Sequence, residues 1–365
     1  MTWKRLAGAV LAMTFAAAAA SAQVTPAAGY TPPDDTPSIK VGAVIYPDYS
    51  YTLNPETLDA DGNAIHLNQF NVTRAYLNIT GNISHLIAFR VTPDISRETN
   101  AASSLNGSLE FRIKYAYAQL NLDDWMTRGS YARFGIQQTP WLDFAEAIYR
   151  YRFQGTMFVE REGYFASADA GASFHYQFPA NYGDVHVGVY NGENYNKAEA
   201  NDQKAVMIRA TVRPFAAGDP LLRGFRASVF YDADAYVKNA PRNRFIGGLN
   251  YEHKYVTLGF EYLDTRDQTS AIRAAEVDGR GYSIWATPKS TMGIEGLLRY
   301  DHLTPSTALD TQVRNRTILG LAYWFPHQGA VSSAVMLDYD GQTFDNFRPA
   351  QPKQSRLAVH GLISF

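Results

Sequence analysis

A period of two runs through almost the whole of this chain, and it restricts the fold more than any motif does. In "GDVHVGVYNG", Val185, Val187 and Val189 alternate with His186, Gly188 and Tyr190. "KYVTLGFEYLD" sets Val256, Leu258, Phe260 and Tyr262 against Tyr255, Thr257, Gly259 and Glu261. "KAVMIRATVRPF" sets Val206, Ile208, Ala210 and Val212 against Arg209, Thr211 and Arg213. Successive side chains of a strand point to opposite faces, so each run reads as a strand with one apolar face. Sixteen such runs begin near Ile39, Asn68, Ile83, Glu110, Ser130, Ser167, Gly183, Gln203, Arg223, Asn243, Lys254, Gly279, Ser290, Val313, Ala330 and Gln354. Most are about ten residues long, the length a tilted strand needs to cross a bilayer.

The connections carry equal weight. After even-numbered runs they are short: Gly81-Asn82, residues 179–182, His253 and Lys289. After several odd-numbered runs they are long and polar: residues 52–67, 94–109, 139–166, 191–202 and 265–278. This sorting predicts an all-β fold, a transmembrane antiparallel β-barrel of about 16 strands with short periplasmic turns and long external loops. A soluble sandwich has no reason to segregate its connections. Nor would a small core hold so many of the 24 tyrosines, whose hydroxyls need partners when buried. Tyr262, Tyr300, Tyr323, Phe325, Tyr339 and Phe178 fall on apolar faces, where aromatic girdles would meet the interfaces. The closing "RLAVHGLISF" alternates up to Phe365, as expected of a last strand that pairs with the first.

At the other end, "MTWKRLAGAVLAMTFAAAAASAQ" has Lys4 and Arg5, an apolar run and a small-x-small site at Ala20-Ser21-Ala22. Residues 1–22 are therefore expected to be a secretory signal peptide, 23–38 a Pro-rich linker, and 39–365 the barrel. Cysteine is absent, so disulfides and thiolate chemistry are excluded. A formal charge of −2 with no basic run gives no reason to expect nucleic acid, and no cofactor or metal is called for.

Several stretches resemble the phosphate-selective porin O/P family of Gram-negative outer membranes. "RAYLNITGNISHLIAFRVTPD" (74–94) is similar to that family's early hairpin, with Gly81 at its turn. "YARFGIQQTPW" (131–141) is similar to its fifth strand, with Gly135, Thr139, Pro140 and Trp141 carrying the match. "FVERE" (158–162), "YNG" (190–192) and "RATVRPF" (209–215) follow in the family's order. The resemblance implies a porin in the bacterial outer membrane, a water-filled channel for passive diffusion of small hydrophilic solutes, with phosphate as the anion the family name points to. It also implies a homotrimer set among outer-membrane lipid and lipopolysaccharide. Phe365 would be the assembly signal read by the barrel assembly machinery.

Strand parity assigns the lumen. On strands two to nine the inward basic residues are Arg74, Arg90, Arg133, Arg209 and Arg226. On strands eleven to fifteen the inward acidic ones are Glu261, Glu295, Asp301, Asp338 and Asp340. The two sets suggest either a transverse field across a narrow waterway or a set of paired wall charges that only hold the barrel's shape. Residues 139–166 form the longest connection, too aromatic for disorder, and are the candidate constriction loop. Its charges are Asp143, Glu146, Arg150, Arg152, Glu160, Arg161 and Glu162. His175 and His186 should face each other across a turn, but a zinc site needs at least three ligands and none is added nearby. A barrel-embedded hydrolase and a secreted β-rich binding module are the rival classes. The first needs an activated nucleophile; no G-x-S-x-G is present and parity assembles no Ser-His-Asp set, so no enzymatic activity is expected.

Overall fold

The computed structural model describes residues 35–365. The expected signal peptide and all but the end of the linker lie outside the described residues. Sixteen long strands build one wall: β1 (Ser38–Asn54), β2 (Asn68–Asn82), β3 (Ile87–Arg97), β4 (Leu109–Asn121), β5 (Tyr131–Gln138), β6 (Ala168–Gln177), β7 (Gly183–Tyr190), β8 (Ala205–Val212), β9 (Phe225–Ala233), β10 (Ala240–His253), β11 (Val256–Asp267), β12 (Val277–Pro288), β13 (Ile294–Thr304), β14 (Val313–Phe325), β15 (Ser332–Asp345) and β16 (Gln354–Ser364). Each is antiparallel to the next, and a three-residue piece, Ala235–Val237, extends the pairing beside β10. β16 closes on β1, with Val44 opposite Ser364 and Tyr49 opposite Val359. Phe365 continues the seam: its amide donates to Ala43 O at 3.1 Å, and its carbonyl accepts from Ala43 N at 3.0 Å. No edge is left to template aggregation.

The apolar set of each run faces outward, with Val206, Ile208, Val212, Leu258, Phe260, Leu357, Val359 and Ile363 all exposed on the outer surface. Among the described residues no helix is long and apolar enough to cross a membrane; the chain crosses with strands, whose backbone groups are satisfied by their neighbours.

The connections depart from expectation at three places. β2 runs through Gly81, which pairs with Ile39, and the turn follows at 83–86. A Cβ on Gly81 would meet Ser38 O at 2.4 Å, so close backbone approach in the seam, not a turn, explains this glycine. At the short-turn end, residues 213–224 form a connection of some length, because Pro214, Gly218 and Pro220 interrupt strand pairing. At the other end, β9 and β10 are joined tightly by 234–239.

His85, in the turn after β2, ties the base of the barrel together. Its Nδ1 lies 2.5 Å from Asp35 Oδ1, ahead of β1, and its Nε2 lies 3.0 Å from Asp124 Oδ2, in the turn after β4. Ionised carboxylates only accept, so both contacts are satisfied as hydrogen bonds when both ring nitrogens carry protons, in the imidazolium form.

Candidate functional site

Residues 139–166 fold into the barrel. Two bonds pinch the base of the segment: Thr139 Oγ1 donates to Ala166 O at 2.9 Å, and Thr139 N donates to Ser167 O at 3.3 Å. Pro140 then starts α1 (Pro140–Ile148), where its missing N–H costs nothing. Trp141, Leu142, Ala145 and Ile148 fall on one buried stripe of α1. A short α2 (Phe158–Arg161) follows.

The segment reaches the wall opposite its own roots. Trp141 Nε1 donates to Glu261 Oε2 on β11 at 3.2 Å. Tyr151 Oη donates to Glu295 Oε2 on β13 at 2.9 Å, and Arg150 pairs with the other oxygen at 3.1 Å. Gln154 donates to Asp338 on β15 at 2.7 Å. Arg161 pairs with Asp340 at 3.1 Å, and Glu162 forms an ion pair with Arg314 on β14 at 3.0 Å. Rings reinforce these links: Tyr149 meets Trp285 edge-on at 5.1 Å, and the Arg150 guanidinium lies 3.5 Å from the Trp324 ring centroid.

Under the segment the inner wall is apolar. Met207, Phe230, Ile246, Leu263, Trp285, Leu297, Ile318, Trp324 and Met336 are buried there with Leu142, Phe153, Phe158 and Val159 from the segment. Part of the barrel interior is thus a packed core. An open space of about 580 Å³ lies against β1, β2 and β14–β16. It is lined by Arg74, Arg152, Arg161, Arg316 and Arg356, with Asp48 and Asp340 as its carboxylates.

The ten wall charges read from parity all point inward, but only Arg74 and Asp340 line this space. Arg90 is buried against Thr92, Asn78 and the Tyr115 ring. Arg133 bonds to Gln119 and lies 3.6 Å from Asp143; Arg209 donates to Pro140 O and pairs with Asp184. Arg226 pairs with Glu252. Glu261 and Glu295 hold the inserted segment, Asp301 pairs with Arg299 at 2.7 Å, and Asp338 accepts from His360 and Gln154. A bare field between two arcs is therefore replaced by local pairs, because the segment's own charges and its packed core occupy the ground between them.

Of the segment's seven charges, Arg152 and Arg161 line the open space, and Arg152 is clamped by Glu146 at 2.8 Å and Glu160 at 3.2 Å. Burial pushes the Glu146 carboxyl up, with Arg152 opposing. Arg152 and Tyr46 also line a far smaller space of about 20 Å³ beside Lys114 and Glu146. Burial and the guanidiniums of Arg299 and Arg316 lower Arg161 to about 10, which still leaves it charged at neutral pH. His175 and His186 are opposite in register, and His175 is bound to Asp184 at 3.1 Å. Among the described residues no group of three ligands suits a metal ion.

No family model and no curated protein matches the chain. Solved structures do. An anion-selective porin from Comamonas acidovorans superposes with a TM-score of 0.61 at 12% identity, covering 90% of this chain and 100% of that one. The outer-membrane channel DcaP of Acinetobacter baumannii gives 0.58 at 12%, covering 93% and 100%. Salmonella typhi OmpF, in complex with daunomycin, gives 0.57 at 10%, covering 90% and 97%. The fold is that of an outer-membrane porin barrel.

Three charged residues of this barrel's open space were missed from the sequence, Asp48, Arg316 and Arg356. Arg316 shares the parity of Ile318 and Trp324, and Arg356 that of Ala358 and His360, so alternation already turned both inward. Only closure brings them together: β16 lies beside β1, and Arg316 and Arg356 converge on Asp340 at 2.8 and 3.6 Å.

Proposed function

We propose that the chain is a bacterial outer-membrane channel through which small hydrophilic solutes diffuse passively, with a preference for anions such as phosphate or small carboxylates. One observation carries the anion preference: the guanidiniums stand in front of the carboxylates. Side-chain exposure is 36% for Arg356, 23% for Arg74 and 18% for Arg316, against 3% for Asp340, and Asp48, the other carboxylate of the space, is buried at 8%. A solute entering the open space therefore meets positive ends first, and the buried carboxylates serve mainly to hold them in place. The inserted segment 139–166 is the constriction, with Arg152 lining the open space. Transport of this kind needs a selective waterway and no catalytic group.

For assembly, we read a homotrimer among lipopolysaccharide and other outer-membrane lipids, inserted by the barrel assembly machinery with Phe365 as its signal. A solved OmpT of Vibrio cholerae, similar in fold at 10% identity, is described as a trimer form. The outward Ala116 and Ala118 on β4 and Gly247 on β10 would suit a flat contact between copies. The deciding experiment is the reversal potential of one purified channel in a potassium chloride gradient. A chloride-directed potential supports the reading, and a cation-directed one removes the anion preference while leaving the channel.

A further inference from the structure

The outer wall carries a second feature. Across β9–β14 the outward side chains leave an apolar groove of about 510 Å³, within the size range of small-molecule sites. Its floor is Ala286, which stands between Leu258 on β11 and Leu298 on β13 in register, with Phe260 and Ile284 one step further along. The methyl of Ala286 is shorter than every one of these neighbours, so the wall dips there.

One end of the groove opens at the short-turn rim, and there the chemistry changes. Tyr251 lines that end, and its hydroxyl donates to Leu221 O at 2.7 Å, fixing the 213–224 connection beside the mouth. That connection presents Arg223, exposed at the surface. The next turn presents Lys254, whose ammonium lies 4.7 Å from the Tyr255 ring centroid. The nearby carboxylates are engaged: Asp219 Oδ1 accepts from Leu221 N, and Glu252 pairs with Arg226. Tyrosines and exposed cations at the end of an apolar channel match a lipid whose phosphate sits at the interface and whose chain lies along the wall.

We propose that this groove is a fixed site for one anionic phospholipid of the leaflet that meets the short turns, its acyl chain over Ala286 and its phosphate against Arg223 and Lys254. The inference rests on the membrane location alone and is independent of which solute passes the lumen. The test is native mass spectrometry of the folded, detergent-purified protein after addition of phosphatidylglycerol or phosphatidylethanolamine. One retained phosphatidylglycerol per chain is expected, held at least several-fold better than phosphatidylethanolamine. Ala286→Trp should fill the groove and abolish retention, and Ala286→Leu should weaken it, each checked for folding by heat-modifiable migration. Arg223→Glu with Lys254→Glu should remove the headgroup preference while leaving the groove intact. Equal retention by Ala286→Trp and wild type would overturn the site, as would an unchanged preference after charge reversal. Disulfide-linked pairs formed by Ala286→Cys would show instead that a second copy covers the face.

Discussion

Replacing Arg356 by Ala is the sharpest probe of the lumen, because this side chain is both exposed and loosely held. It is the most exposed cation of the open space and lies 3.6 Å from Asp340, which keeps Arg161 and Arg316 as closer partners. Removal should therefore leave the fold intact. An anion passing within about 4 Å of the guanidinium gains roughly 1 kcal/mol in water and about 4 kcal/mol at an effective dielectric of 20. The lower figure applies to a wet, exposed group. Since 1.4 kcal/mol is tenfold, relative anion permeability should fall about fivefold. The assay is the single-channel reversal potential at two salt levels. The shift should be larger at low salt, since screening lengths shrink from about 30 Å at 0.01 M to about 3 Å at 1 M. Arg90→Ala is the matched control. Arg90 is fully buried and bonded to Thr92 and Asn78, so its loss should destabilise the barrel by about 1–3 kcal/mol and leave the potential unchanged. An unmoved potential in Arg356→Ala at low salt, or a larger shift in Arg90→Ala, would refute the assignment of the open space as the conducting path.

Four further outcomes follow from the same geometry. Deleting residues 144–156 should raise single-channel conductance and reduce selectivity, with a lower melting temperature as Trp285 and Trp324 become wet; unchanged conductance would end the constriction role. Val187→Arg places a charge on the outer apolar face and should cost about 2–4 kcal/mol of barrel stability, whereas Val187→Leu should be neutral; urea unfolding in detergent or vesicles measures both. Removing Phe365 takes away its two backbone bonds to Ala43 along with the terminal ring, so the heat-modifiable form in the outer membrane should fall, and wild-type levels would discount its role. His85 should titrate above its ordinary value because Asp35 and Asp124 bond to its charged form, while the same contact holds Asp35 below the usual carboxylate range. The clasp should therefore persist between those limits, failing as pH rises through the raised His85 value and as pH falls through the lowered Asp35 value; an NMR titration of the ring in wild type and Asp35→Asn checks this.

The wall was legible in the sequence because a one-residue slip in a strand turns every side chain over. The alternation in β7 or β11 therefore permits one register only. Turns were less legible for the same physical reason. Gly81 has the composition of a turn, yet its glycine is demanded by the pairing of β2 with β1, where Ile39 lies across from it and Ser38 O leaves no room for a Cβ.

The lumen was hidden for a different reason. Alternation tells inside from outside, but not wet from packed. Phe230, Ile246 and Met336 share the inward parity of Asp232, Arg244 and Asp338, and each pair reads as a mixed, water-facing row until the inserted segment covers its apolar members. The hint was present in "VMI" on β8 and "FIG" on β10, where both faces are apolar, a pattern normally reserved for strands buried on two sides. Once the segment packs on that half, its arginines and the acidic wall neutralise one another, and an open space is left against β1, β2 and β14–β16. The charges that meet a solute are then set by which pairs are left facing that side, Arg316 and Arg356 around a shared Asp340. On the proposed reading, selectivity would follow from how the segment divides the lumen, and a substitution buried beneath the segment should then alter conduction only by moving it.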